Sequence, residues 1–154
     1  MATELTAQSL TVTITEALAV DHANGATNDI DFAQTYSHTY ASIKNVTKRI
    51  INLANTNLTD ILNFSTAESA GTVVRANVKY IRVTNLDDSN ALQVGLDDGS
   101  DDAAFVSVAA DSSIVFTGTT CEGDSGGSTL DNATKLSVKG AINNHNLELF
   151  VASA

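Results

Sequence analysis

The hydrophobic pattern of this chain repeats every second residue over much of its length. Within residues 73–116, Val78, Tyr80 and Arg82 alternate with Lys79, Ile81 and Val83, and Leu92, Val94 and Leu96 share one face of a second run. Successive side chains of a strand point to opposite sides, so this spacing in β-branched and aromatic residues predicts strands. Residues 105–108 and 114–116 predict two more. NLDDSN (85–90), DDGSDD (97–102) and residues 109–113 interrupt them. Asn and Asp bond their own backbone and tolerate turn conformations, so these segments are expected to be turns. Short strands with a turn about every ten residues point to a sandwich or barrel rather than to parallel βαβ units.

The flanking segments read the same way. Leu10, Val12 and Ile14 alternate with Thr11, Thr13 and Thr15, which predicts a half-buried strand within residues 5–20. The polar segment 21–31 carries Asn24-Gly25, a strong short-range hairpin signal, and is either a hairpin tip or a longer exposed loop. Tyr36, His38 and Tyr40 fall on one face of a strand in 32–41, with a ligand-binding aromatic face as the sharper alternative. In 46–64, the spacing of Val46, Ile50, Ile51, Leu53, Leu58, Ile61 and Leu62 partly fits a helix. Their β-branched content and the polar triplet Asn55-Thr56-Asn57 favour two strands, KRIINLA and TDILNF. Residues 136–138 and 147–151 predict closing strands. No composition break or repeat divides the 154 residues. The expected fold is all-β, an antiparallel β-sandwich of jelly-roll type over 1–154, with an extended N-terminal strand or arm as an option.

Charge narrows the function more than the pattern does. The formal net charge is −10. So acidic a surface is repelled by nucleic acid and by anionic membranes, and neither is expected as a partner. Lys44, Lys48 and Arg49 form the one local basic cluster, read as a solvated face, a set of salt bridges to the acidic turns, or a docking patch for an acidic partner. Cys121 is the sole cysteine, so no internal disulfide can form and stability must come from packing or assembly. The first residues lack a basic and apolar leader, and no apolar run approaches the roughly 20 residues of a membrane span. The expected folding compartment is a cytoplasm.

Three stretches invite a chemical reading. Cys121-Glu122-Gly123-Asp124-Ser125-Gly126-Gly127 resembles the GDSGG box of chymotrypsin-like serine proteases. That resemblance would make Ser125 the nucleophile and the N–H groups of Gly123 and Ser125 the oxyanion donors. It covers about seven residues. His22 and His38 lie outside the family's context, no buried Asp is recognisable, and Cys121 has no partner. No catalytic residue is assigned on it. Asp87 and Asp88 crowd one turn, and Asp97, Asp98, Asp101 and Asp102 another. Such loops can offer hard oxygens to Ca²⁺ or Mg²⁺, but the spacing is not that of an EF-hand, and solvated hairpin tips are expected instead. His22, His38 and His145 have no zinc spacing, and the glycines near Ser125 are not followed by the Lys-Ser or Lys-Thr of a phosphate loop. No cofactor is expected.

A whole-chain layout remains. LTVTITEAL is followed by VTKRIINLA, a polar spacer and DILNF. Then come VKYIRVTNLDDSNALQVGL, an acidic turn, FVSVAADSSIVF and the closing NLELFVASA. This resembles small β-sandwich virion structural proteins of tailed bacteriophages, especially those of marine and cyanobacterial hosts. The resemblance implies a non-enzymatic capsid decoration or cement protein. It would bind the major capsid protein and its own copies, and be carried on virions assembled in a bacterial cytoplasm. A tail or fibre component is one alternative, a carbohydrate-binding adhesive sandwich another, and a serine hydrolase built on Ser125 the remotest. A homo-oligomer is expected, a trimer among the options, because long open edge strands need covering. Either residues 5–20 or the C-terminal strand could donate an edge to a neighbour.

Overall fold

A computed structural model describes residues 8–20, 30–65, 72–97, 104–117 and 133–154. The strands are β1 (Gln8–Val20), β2 (Ile30–Ile43), β3 (Asn45–Leu53), β4 (Thr59–Ser65), β5 (Thr72–Val74), β6 (Val78–Asn85), β7 (Leu92–Asp97), β8 (Ala104–Val108), β9 (Ser113–Thr117), β10 (Lys135–Gly140) and β11 (His145–Ser153). The sole helical piece among the described residues is a single 3₁₀ turn, Arg75–Asn77. The segment 46–64 is two strands, as its β-branched residues predict. A helix would have put Ile50, Ile51, Leu53 and Leu58 around several faces at once.

The strands form three sheets. One has the order β3-β11-β6-β9, a second β5-β4-β10-β7-β8, and among the described residues β1 and β2 pair only with each other. With β3, β4 and β6 through β11 numbered one to eight in chain order, the first sheet runs 1-8-3-6 and the second, leaving out β5, runs 2-7-4-5. This interleaving of chain halves across two sheets is the jelly roll. All pairings are antiparallel except that of β5 beside β4.

The core lies between the two larger sheets. Leu53, Ile81, Val83, Leu147, Leu149 and Val151 meet Ile61, Leu62, Phe64, Leu92, Val94, Val108, Leu136 and Val138 there. Period two explains the selection: Leu147, Leu149 and Val151 face in, while Asn146, Glu148 and Phe150 face out. The closing strand β11 runs between β3 and β6, paired along both edges. It therefore cannot be lent to a neighbour, contrary to one of the two options above, because its backbone N–H and C=O groups are already used.

One polar group enters the core. Asn85, fully buried at the end of β6, donates through Nδ2 to the carbonyls of Asn90, Val108 and Ala109 at 2.8, 3.2 and 3.0 Å. Its Oδ1 accepts from the N–H of Asp87 at 3.1 Å and from Nε2 of buried His145 at 2.8 Å. One amide thus ties the 85–90 turn, the end of β8 and the start of β11 together. Gly140 makes room for the ring: a Cβ there would stand 2.7 Å from the Cβ of His145.

Candidate interface at the N-terminal hairpin

β1 and β2 pair from Gln8–Ile43 to Val20–Ile30 and form a ribbon separate from the two larger sheets. Thirteen residues of strand make it about 43 Å long. The half-buried strand expected here is a strand, but most of its described residues are exposed, because among the described residues no other strand pairs with the ribbon. Such a ribbon has no interior of its own; what fills its two faces is set by side chains alone.

Those faces differ. On one, Thr11 bonds Thr39 at 3.0 Å, Thr13 bonds Ser37 at 2.8 Å, and Thr15 approaches Thr35 at 3.4 Å, hydroxyl to hydroxyl. On the other, the pairs are Leu10–Tyr40, Val12–His38, Ile14–Tyr36 and Glu16–Gln34. Near the root this second face is covered: Leu10, Val12, Tyr40 and Phe150 pack around buried Ile43, Tyr80 and Ala152. Further out it is open, with Ile14 56% and Tyr36 51% exposed. Both strands carry the Thr-x-Thr-x-Thr or Thr-x-Ser-x-Thr spacing needed for the hydroxyl ladder, and Asn24-Gly25 lies between them. That combination is the signal from which the ribbon could have been read.

At the root, β2 takes an extra residue. The register shifts between Gln8 and Leu10, and Ser42 lies in the left-handed region at φ 62. A bulge of this kind turns a strand sharply and lets the ribbon leave the sandwich at an angle. An aromatic series crosses the junction. His38 and Tyr40 meet edge to face at 4.5 Å, Tyr40 and Tyr80 at 5.8 Å, and Tyr80 and Phe150 at 5.9 Å. Burial pushes the Tyr80 hydroxyl above its ordinary pKa. The aromatic residues of 32–41 therefore split: Tyr40 glues the ribbon to the sheet, while Tyr36 faces open water.

Beside this junction is a cleft of about 330 Å³, lined by Leu10, Thr11, Val12, Thr13, Lys48, Tyr80, Arg82 and Phe150. Glu148 contacts Lys48 at 3.1 Å and Arg82 at 2.5 Å. The Lys48 ammonium, then Arg82, hold the Glu148 carboxyl below its usual range against the opposing effect of burial. Arg82 also lies 5.7 Å over the Phe150 ring, and its Nε is buried without a partner among the described residues. Two cations against one carboxylate leave the cleft net positive on an otherwise acidic chain.

The basic cluster read from sequence is divided by the pleat. Lys48 points to this outer cleft, whereas Arg49 points inward to the carbonyl oxygen of Ile61. The ion pair shown for the cluster is that of Lys48 with Glu148, which lies on β11 and not in an acidic turn. In the described turn, 85–90, the carboxylates serve the local structure. Asp87 Oδ1 accepts from the N–H groups of Ser89 and Asn90 at 3.0 and 2.6 Å and from Asn90 Nδ2 at 3.0 Å, which lowers its pKa. Asp88 accepts the Ser89 hydroxyl at 2.8 Å, and Asp97 pairs with Lys135 at 3.3 Å. No group of three or more His, Cys, Asp or Glu suited to a metal occurs among the described residues. Asp98, Asp101, Asp102, Cys121 and Ser125 lie outside those residues.

No family model, no curated protein and no solved structure matches the chain.

Proposed function

We propose that this chain is a non-enzymatic structural protein of a tailed-phage particle. Its leading role is capsid decoration or cement, bound to the major capsid protein and to its own copies. The observation that carries this reading is the amphipathic ribbon. A two-stranded sheet is marginal by itself in water, and an exposed, nearly uncharged edge invites pairing with another chain. β1 and β2 together hold only Glu16 and Asp31 as charged residues and no Lys, Arg or Pro. Such a device fits a protein whose work is contact rather than turnover. The net charge of −10 fits a surface kept away from packaged DNA. The resemblance of the strand-and-turn layout to phage virion proteins supplies the particle, since a jelly roll alone serves many functions. The carbohydrate-binding alternative needs a free aromatic platform; Tyr40, Tyr80 and Phe150 are taken up in the junction, which leaves Tyr36 as the one exposed tyrosine.

The test is mass spectrometry of purified virions, with cosedimentation of the chain on heads that lack it. High copy number in heads and saturable binding are expected. A low, symmetric copy number in tails would move the protein to the tail or fibre, and absence from every particle would overturn the proposal.

A further inference from the structure

We infer that the free edge of β1 is a docking site for an extended, carboxylate-bearing segment of another protein; that this protein belongs to the particle rests on the function proposed above. The segment adds to β1 as a third strand and lies in the cleft at the ribbon's root, with an Asp or Glu side chain at Lys48 and Arg82.

The lining of the cleft shows which part of the ribbon is offered. Leu10, Thr11, Val12 and Thr13 all border it. Leu10 and Val12 belong to the apolar face of β1, Thr11 and Thr13 to the hydroxyl face. Consecutive residues of a strand point to opposite sides, so a cleft that meets all four looks at the strand's edge. β2 takes the other edge and contributes none of the lining residues. The edge at the cleft is therefore the one that, among the described residues, no strand pairs. Such an edge presents backbone N–H and C=O groups to an incoming extended peptide. Tyr80, Ala152 and Phe150 cover the face of the ribbon here and not this edge. Their packing fixes β1 beforehand, which spares the partner the cost of ordering it.

The opposite wall selects the occupant. Lys48, Phe150 and Arg82 form one row across β3, β11 and β6. Glu148, two residues along β11, pairs with both cations and leaves one positive charge over. Lys48 is 61% exposed and Arg82 37%, so both are within reach from the cleft. Arg82 Nε is buried with no acceptor among the described residues. One carboxylate on the added strand neutralises the surplus, and apolar side chains two residues to either side of it meet Tyr80 and Phe150. A second copy of this chain fits less well. Its own edge carries no carboxylate at residues 10–13, and pairing would join two chains of net charge −10.

Four edge residues span about 13 Å, so one segment alone should bind weakly, with a Kd on the order of 0.1–1 mM. The probe is a nonapeptide blocked at both ends, Ser-Thr-Val-Thr-Asp-Thr-Val-Thr-Ser, titrated into the isotope-labelled whole chain and followed by nuclear magnetic resonance. Saturable shifts are expected at the amides of residues 10–13 and at Arg82 Nε, with slowed hydrogen exchange at alternate amides of β1. Replacing the peptide's Asp by Asn should weaken binding about fivefold. Lys48→Gln removes the surplus charge on an exposed side chain, so the two peptides should then bind alike; a circular-dichroism melt checks that this variant is folded. N-methylation at successive peptide residues should abolish and spare binding in turn, since only every second N–H faces β1. No saturable shift at millimolar peptide would overturn the inference, as would shifts that miss residues 10–13 or binding indifferent to N-methylation. A dimer of the chain alone with protected β1 amides would overturn it in favour of a second copy. The virion role fails separately: a chain that binds the peptide but is absent from particles keeps the edge site and loses the particle, and a chain found on virions that ignores the peptide does the reverse.

Discussion

The sandwich and the ribbon are written in the same alternating code and come to opposite ends. In β11, Leu147, Leu149 and Val151 alternate with polar or half-buried neighbours, and all three are buried. In β1, Leu10, Val12 and Ile14 alternate with threonines just as regularly, yet Ile14 is more than half exposed. Period two states that a segment is a strand with two unlike faces. It is silent about what lies against the apolar face, which depends on which strands flank it and which sheet packs over it. β11 has a neighbour on each edge and a second sheet above it; among the described residues β1 pairs with β2 alone.

Truncation at matched positions should widen this contrast to its greatest extent. Leu149→Ala opens a cavity in the sealed space between the sheets and should cost about 3 to 5 kcal/mol. Ile14→Ala removes a comparable side chain from water-exposed surface and should stay within about 0.5 kcal/mol when unfolding is measured under monomeric conditions. Urea titration of the two variants checks the pair. Equal losses would mean that the ribbon is packed as tightly as the core.

Much of the fold was legible because it rests on local rules. The alternation at Val78 through Val83, the Asp-rich turn at 85–90 and the split of 46–64 at Asn55-Thr56-Asn57 each correspond to an observed boundary. Asp87 even acts as its residue type suggests, by gathering the turn's N–H groups. What stayed hidden is whatever joins distant segments. Nothing around His145 announces that its ring meets Asn85, 60 positions away, nor that Gly140 must lack a side chain to let it in. The clustering of Lys48 with Arg49 in sequence suggested a common patch, but adjacent residues of a strand face opposite ways. The open half of the ribbon reads as a half-buried strand for the same reason: sequence spacing carries the face and not its cover.

The Asn85 hub should rank second in effect, and it sharpens the contrast from the sandwich side. Asn85→Ala strips the buried Val108 carbonyl and His145 Nε2 of a partner, and with them the part-buried carbonyls of Asn90 and Ala109. Each buried group left unpaired costs about 1–3 kcal/mol, eased by whatever relaxation the turn allows, so a loss of about 2–3 kcal/mol is expected in denaturant unfolding. Breaking Thr13 to Ser37 on the ribbon with Thr13→Val removes a hydrogen bond as short, yet water replaces it and the change should be undetectable. A similar loss at both sites would show that the ribbon's hydroxyl face is covered.

The smallest effect sits at the seam between the two regions and is best read through pH. Glu148 holds Lys48 and Arg82 at the ribbon's root, and those cations keep its folded pKa below the ordinary carboxylate value. A carboxyl whose pKa is depressed by folding adds stability above its unfolded value, near 4.3, and loses that contribution as pH falls through the folded value. With Lys48 largely in water, the pairing should contribute about 1 kcal/mol or less. Glu148→Gln should therefore be slightly less stable than wild type at pH 7, and the gap should narrow as pH falls from the unfolded value through the depressed folded one. Asp87, whose pKa is also lowered, titrates in both proteins and cancels from the difference. A gap that is independent of pH would mean that Glu148 acts at the seam by packing its stem against Phe150 and its neighbours, and that the charge there is left for another chain to use.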